Sequence, residues 1–111
     1  MTQESLGEFE HCVLAAVAHL DDGAYGVTIR QEIGERTGRD IAIGALYTSL
    51  DRLERKGHLR STMSDPTPER GGRSKRYFRV TTAGMHAVRR SRERLLRMWE
   101  GLEPNLRKAK S

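Results

Sequence analysis

Leu6, Phe9, Val13, Ala16, Val17 and Leu20 recur at three- and four-residue steps. That spacing stacks them on one face of a helix, and Asp21-Asp22-Gly23 stops it. A second helical pattern runs from about Tyr25 to Thr37, with Ile29 and Ile33 one turn apart and Gly38 placed to take the left-handed C-terminal cap. Gly26 and Gly34 weaken this helix. After a short extended connector, Asp40-Ile41-Ala42, the residues Leu46, Leu50 and Leu53 define the buried stripe of a third helix ending at Lys56-Gly57.

From His58 the period changes to two, with Leu59, Ser61 and Met63 on one side of a strand and Arg60 and Thr62 on the other. Residues 64–74 are rich in turn formers, and Lys75-Arg76-Tyr77-Phe78-Arg79-Val80 reads as the returning strand of a β-hairpin with a long basic tip. Thr81 or Thr82 is suited to cap a last helix that extends to about Leu102, before Pro104, and Arg107 to Ser111 is expected to fray. Three helices followed by a two-stranded hairpin is the layout of a winged helix-turn-helix, a mainly α (α+β) fold. The expected division is 1–80 for the DNA-binding domain with its β wing, 81–103 for a C-terminal dimerisation helix and 104–111 for a disordered basic tail.

Charge sharpens this layout. Residues 1–51 carry three basic side chains against nine acidic, whereas residues 52–111 carry 17 against six. The basic half is the footprint expected of a nucleic-acid binder, although an anionic membrane or an acidic protein would also be attracted. With 111 residues, 36% apolar residues and only six aromatics, the core is thin for a monomer, so a partner is expected. No apolar run approaches the roughly 18 residues of a membrane span. The first five residues lack the basic-then-apolar pattern of a signal peptide, and the single cysteine, Cys12, fits a reducing compartment. A cytoplasmic location is expected.

In a winged helix-turn-helix the third helix enters a major groove and the wing reaches neighbouring backbone or minor groove. At about 100° per residue, Ala45, Thr48, Asp51, Arg52 and Arg55 lie opposite the leucine stripe, with Tyr47 and Ser49 on its flanks. Arg52 suits guanine or phosphate, Thr48 a base edge or thymine methyl, and the Tyr47 hydroxyl a phosphate. Alternatively, Arg52 or Arg55 pairs with Asp51, Glu54 or a solvent-side neighbour. Wing cations for phosphate are Arg70, Arg73, Lys75, Arg76 and Arg79, and Gly71-Gly72 would allow close backbone approach. On the last helix Met85, Val88, Leu95, Trp99, Leu102 and Leu106 form a heptad seam if Arg92 fills its gap. Such a stripe needs a second copy, or else packs on the chain's own first helix. Trp99 is either an interface anchor or a wall of an effector pocket between protomers, shared with Leu95, Leu102, Phe9 and Val13 and suited to a small aromatic ligand.

The chain also resembles the short members of the PadR-like transcriptional regulators over about residues 6–102. The resemblance rests on Ala24-Tyr25-Gly26-Val27-Thr28-Ile29 and on the run from Ile43 to Gly57. It rests equally on Gly71-Gly72-Arg73-Ser74-Lys75-Arg76-Tyr77-Phe78 and on Thr81-Thr82-Ala83-Gly84. Where the family commonly places a serine or threonine before Leu-Tyr, this chain has Ala42-Ile43-Gly44. The resemblance implies a homodimeric DNA-binding repressor, often relieved by a small molecule, dimerising through its C-terminal helix. The expected DNA-contacting set is then Tyr25, Thr28, Ala45, Tyr47, Thr48, Ser49, Arg52, Arg73 and Lys75, on a pseudo-palindromic duplex.

Enzyme chemistry finds little support. Glu8-x-x-His11 matches half of a di-iron helix motif without its second copy, and Gly71-Gly72-Arg73-Ser74 lacks the Gly-Lys-Ser/Thr of a phosphate-binding loop. The histidines 11, 19, 58 and 86 show no ligand spacing, so no metal and no cofactor are expected, and Cys12 reads as a half-buried structural thiol. Two rival classes stand beside the regulator: a winged-helix module that binds protein, and a nucleic-acid coat or RNA-binding protein without sequence preference. The polar outer face of the third helix speaks against the first, and the core phasing of most aromatics against the second.

Overall fold

The computed structural model describes residues 5–64 and 74–109. Helix α1 (Glu8–Leu20) opens with the Gly7 N–H donating to the Glu10 carboxylate at 3.2 Å, one of the free first-turn donors satisfied by a side chain. Its inward face buries Val13, Leu14, Ala16 and Val17, and a 3-10 turn over Asp21–Gly23 ends it. Helix α2 (Gly26–Thr37) is capped at its start by Thr28, whose Oγ1 accepts the Tyr25 N–H at 3.0 Å. At its end Gly38 adopts φ 74° and its N–H donates to the Gly34 carbonyl, as the sequence led one to expect.

Helix α3 (Ile43–Arg55) begins at Ile43 with Ala42 at the N-cap and no side-chain cap. Leu46, Leu50 and Leu53 are fully buried. Each such leucine contributes about 1.5–3 kcal/mol relative to exposure, so the stripe, not the missing cap, holds this helix. Strands β1 (Leu59–Met63) and β2 (Arg76–Val80) pair antiparallel, Leu59 with Val80, Ser61 with Phe78 and Met63 with Arg76. The Phe78 N–H donates to the Ala24 carbonyl at 2.8 Å and Tyr25 bridges to Tyr77, so the hairpin is stitched to the start of α2. Leu59 is buried, Ser61 half-buried and Met63 exposed: the inward face fades as the hairpin leaves the body.

Helix α4 (Thr82–Trp99) is capped by Thr81, whose Oγ1 accepts the Gly84 N–H at 3.0 Å and donates to the Gly57 carbonyl at 2.6 Å. One hydroxyl therefore joins the end of α3 to the start of α4. Only Gly84 and Ala87 of α4 are buried, Val88 packs against the core edge, and past Ser91 the helix is exposed on all sides. The radius of gyration, 16.7 Å, exceeds the about 13 Å of a compact chain of this size because α4 projects.

Two expectations need correction here. The last helix ends at Trp99 rather than at about Leu102, since Gly101 takes φ 74° and breaks it. Within the stretch 104–111, expected to be disordered, residues 104–109 belong to α5 (Glu103–Ala109). Pro104 lies in the first turn of α5, where a missing N–H costs no helical bond, so it starts a helix instead of stopping one.

The close approach of α4 to His58 and to the end of β2 requires Gly84. A Cβ there would collide with the His58 carbonyl oxygen and sit 2.8 Å from Val80 Cγ1. Gly84→Ala is expected to destabilise the fold by about 1–3 kcal/mol despite alanine's better helix propensity. Urea unfolding checks this, and a variant as stable as the parent would show that the close approach relaxes without cost.

Candidate nucleic-acid interface

Because the leucines of α3 face α1 and the hairpin, its opposite face is turned to solvent. Ala45, Thr48, Arg52 and Arg55 are exposed there. Thr48 donates its hydroxyl proton to the Gly44 carbonyl at 3.0 Å, which fixes the rotamer and leaves the methyl and oxygen lone pairs outward. Tyr47 is half-buried, its ring laid across the first turn of α2 so closely that a Cβ on Gly26 would collide with the phenol oxygen. Its hydroxyl is thereby held at the junction of the two helices.

Lys75, at the base of the wing, is exposed, with Nζ 4.6 Å above the Tyr25 ring. Tyr25 itself meets Tyr77 edge to face at 5.3 Å. Arg73, with Arg70 and Gly71-Gly72, lies outside the described residues.

Two expected contact residues are turned elsewhere. Ser49 is buried, at the edge of the packed face about 60° from the leucine stripe. Thr28 spends its hydroxyl on the start of α2, accepting from Tyr25 and donating to the Gly23 carbonyl.

The cations sort in a way that charge counting did not foresee. Arg79 pairs with Asp21 and Asp22, and Lys56 with the buried Glu10 at 3.3 Å. Arg76 points inward from β2 to α3. Its Nη1 donates to Asp51 at 2.8 Å, its Nη2 to Glu54 and its Nε to Ser61 Oγ at 3.2 Å, while the guanidinium lies 4.8 Å from the Phe78 ring centre. Both α3 carboxylates are thus engaged by the wing, not by Arg52 or Arg55. Among the described residues Arg52 and Arg55 form no ion pair, and neither does Arg60 on the outer side of β1. The alternation of β1 marked Arg60 as outward, yet the contact set omitted it.

The Ser61 hydroxyl above all, with help from the Arg76 guanidinium, holds the Glu54 carboxyl below its usual 4.5 against the opposing effect of desolvation. Its hydrogen bond to Asp51, then the one to Glu54, raises Arg76 above its ordinary range.

The apolar seam of α4 is open. Met85, Leu95 and Trp99 are exposed, as are Leu96 and Met98, which the heptad reading omitted; Leu102 is half-buried. The expected effector pocket does not assemble within one chain. Val13 is fully buried in the core and Phe9 lies under the Arg39 guanidinium at 5.2 Å. A cavity of about 320 Å³ between α1 and α4 is lined by Leu95 with Leu6, His11, Cys12 and Ser91, but not by Trp99. The half-motif Glu8-x-x-His11 serves structure instead: Glu8 pairs with Arg39 at 2.7 Å and His11 Nδ1 lies 2.8 Å from Ser91 Oγ. Among the described residues no helix is long and apolar enough to cross a membrane.

Residues 13–90 match the family model described as "Transcriptional regulator PadR-like family". A PadR family transcriptional regulator from Eggerthella lenta superposes with a TM-score of 0.72 at 23% identity, over 88% of this chain and 80% of that one. A PadR family regulator from Clostridium difficile gives 0.71 at 20% identity, over 88% and 98%. A Streptococcus transcriptional regulator gives 0.62 at 26% identity, over 93% and 92%. No curated protein matches the chain.

The depressed Glu54 carboxyl carries a pH dependence of known sign. A carboxylate favoured in the fold stabilises above its unfolded value, and that contribution is lost as pH falls through the folded one. Unfolding free energy is therefore expected to drop on acidification below about pH 4.5, with a shallower acid limb in Glu54→Gln. Parallel acid limbs in the two proteins, measured by urea melts across pH, would remove Glu54 from the acid response.

Proposed function

The chain belongs to the PadR-like family of transcriptional regulators, and from that premise we propose that it binds double-stranded DNA sequence-specifically as a homodimer and represses transcription from a pseudo-palindromic operator. The observation that carries this reading is the face of α3 made by Ala45, Thr48 and Arg52. It stands exposed behind three fully buried leucines, with Lys75 at the base of the adjoining wing. In this reading α3 enters the major groove, where the Arg52 fork reads guanine or grips a phosphate and Thr48 meets a base edge. Lys75, the Tyr47 hydroxyl and the basic wing tip with Arg73 contact backbone, which positions the protein without specifying sequence.

The open seam on α4 supports a two-fold assembly. Met85, Val88, Leu95 and Trp99 make one apolar stripe on α4, which is exposed past Ser91, and the half-buried Leu102 follows just beyond the end of the helix. Burying that stripe against its copy removes apolar area from water and presents two α3 helices to successive major grooves, about 34 Å apart or a multiple of one turn. A bound dimer blocks a promoter sterically, which accounts for repression. A small planar aromatic effector would enter beside Trp99 at the seam. It relieves repression only by favouring a dimer whose α3 spacing no longer fits the operator, since equal affinity for both arrangements shifts nothing.

The test is selection of duplexes from a random library by the intact protein, followed by gel shifts on selected and scrambled sequences. Arg52→Ala is expected to lose about 1–3 kcal/mol on the selected duplex, whereas Lys75→Ala weakens both sequences alike and lowers the salt slope by about one. Light scattering of the free protein should give a dimer. Equal affinity of the parent protein for selected and scrambled DNA would replace this reading with that of a coat protein.

A further inference from the structure

Arg76 is spent in an unusual place. It stands at the first position of β2, beside the exposed Lys75, yet its guanidinium reaches back to α3 and engages Asp51, Glu54 and Ser61 while stacking near Phe78. Three separate donors of one planar fork are used on three acceptors, which a lysine ammonium at the end of a flexible stem does not reproduce.

The two carboxylates it holds matter for position. Asp51 and Glu54 are half-buried on α3, flanking and interleaved with Arg52 and Arg55. Asp51 and Arg55 are four residues apart, the spacing at which opposite charges on a helix pair readily. Released, Asp51 would satisfy Arg55, Glu54 would lie beside the cationic face, and both would meet incoming phosphate with like charge. Held by Arg76, they leave Arg52 and Arg55 without an ion pair among the described residues.

We propose that Arg76 is a positioning residue for DNA recognition: it draws Asp51 and Glu54 toward the base of the wing and so keeps the arginines of α3 available to the duplex. This rests on the DNA-binding reading above, but assigns Arg76 a different task from the phosphate contact that its place in the basic wing suggests. Its effect runs through two carboxylates, so removing those carboxylates should make it dispensable.

The experiment is a set of variants of the full chain titrated with the duplex selected by the parent protein and with its scrambled counterpart, over a range of salt. Arg76→Met is expected to weaken binding to the selected duplex by about ten-fold or more, and Arg76→Lys to recover little of it. Adding Asp51→Asn and Glu54→Gln to Arg76→Met should restore affinity to within about three-fold of the parent with an unchanged salt slope, because the coupling is between charges. A purely structural role predicts no such rescue.

If the triple variant stays as weak as Arg76→Met, or if every variant lacking Arg76 loses about one unit of salt slope, Arg76 itself contacts phosphate and the proposal is overturned. Should Arg76→Met fail to fold, Asp51→Asn/Glu54→Gln in the parent background decides: retained affinity within about three-fold supports the proposal, and a loss above about ten-fold overturns it. The parent protein separates the two levels. If it does not distinguish selected from scrambled duplex, the DNA-recognition reading itself has failed; if it does and only the rescue is absent, Arg76 alone has been misassigned.

Discussion

Burial of Leu46, Leu50 and Leu53 decides which side of α3 meets the solvent, and the remaining features of the molecule depend on that choice. All three are fully buried against a core supplied by α1, α2 and the hairpin, including Val13, Leu14, Ile29, Ile33 and Phe78. Rotating the helix by a single residue position would turn it about 100°, expose two or more leucines and bury charge. The outward presentation of Ala45, Thr48 and Arg52 is therefore a consequence of packing. The missing N-cap at Ala42 is tolerated for the same reason, since tertiary burial outweighs the roughly 1 kcal/mol that a cap contributes.

A core this small has a second consequence. It covers the first two turns of α4 through Gly84, Ala87 and Val88, His11 reaches Ser91, and past Ser91 the helix is exposed. The apolar stripe that continues to Trp99 is then a surface in one copy and a core in two. The same division shows in the charges. Acidic residues of the first half are used within the fold, with Glu10 on Lys56, and Asp21 and Asp22 on Arg79, while Arg52 and Arg55, without an ion pair among the described residues, lie on the outer face of α3. Internal pairing thus sorts a basic sequence into structural cations and available ones.

Much of this was legible in the residue pattern because it follows from periodicity. The leucine stripe, the left-handed Gly38 and the Thr81 cap are local signals, and the alternation from Leu59 located the hairpin. What escaped were relations between residues far apart in the chain. A charge count cannot tell that Arg76 faces Asp51 and Glu54 while Lys75 beside it faces outward, because the partners are 25 and 22 residues away. Ser49 sits at the edge of the buried stripe, where an angle alone does not settle burial. Val13 and Phe9 share the first helix's apolar face, but the core takes the one and Arg39 covers the other. In sequence Pro104 reads as a stop, since proline breaks a helix interior yet suits a first turn, and only the break at Gly101 distinguishes the two.

The central claim is that the face of α3 opposite its leucines, together with the base of the wing, is where DNA is met. Amide chemical-shift mapping by NMR, with a selected duplex titrated into the labelled protein, tests it most directly. The account predicts that the largest perturbations fall on residues 44–55, at Lys75 and on the adjoining strand ends, with the middle of α1 and the exposed end of α4 little changed. Perturbations concentrated on α4 and its arginines, with Thr48 and Arg52 unmoved, would contradict it.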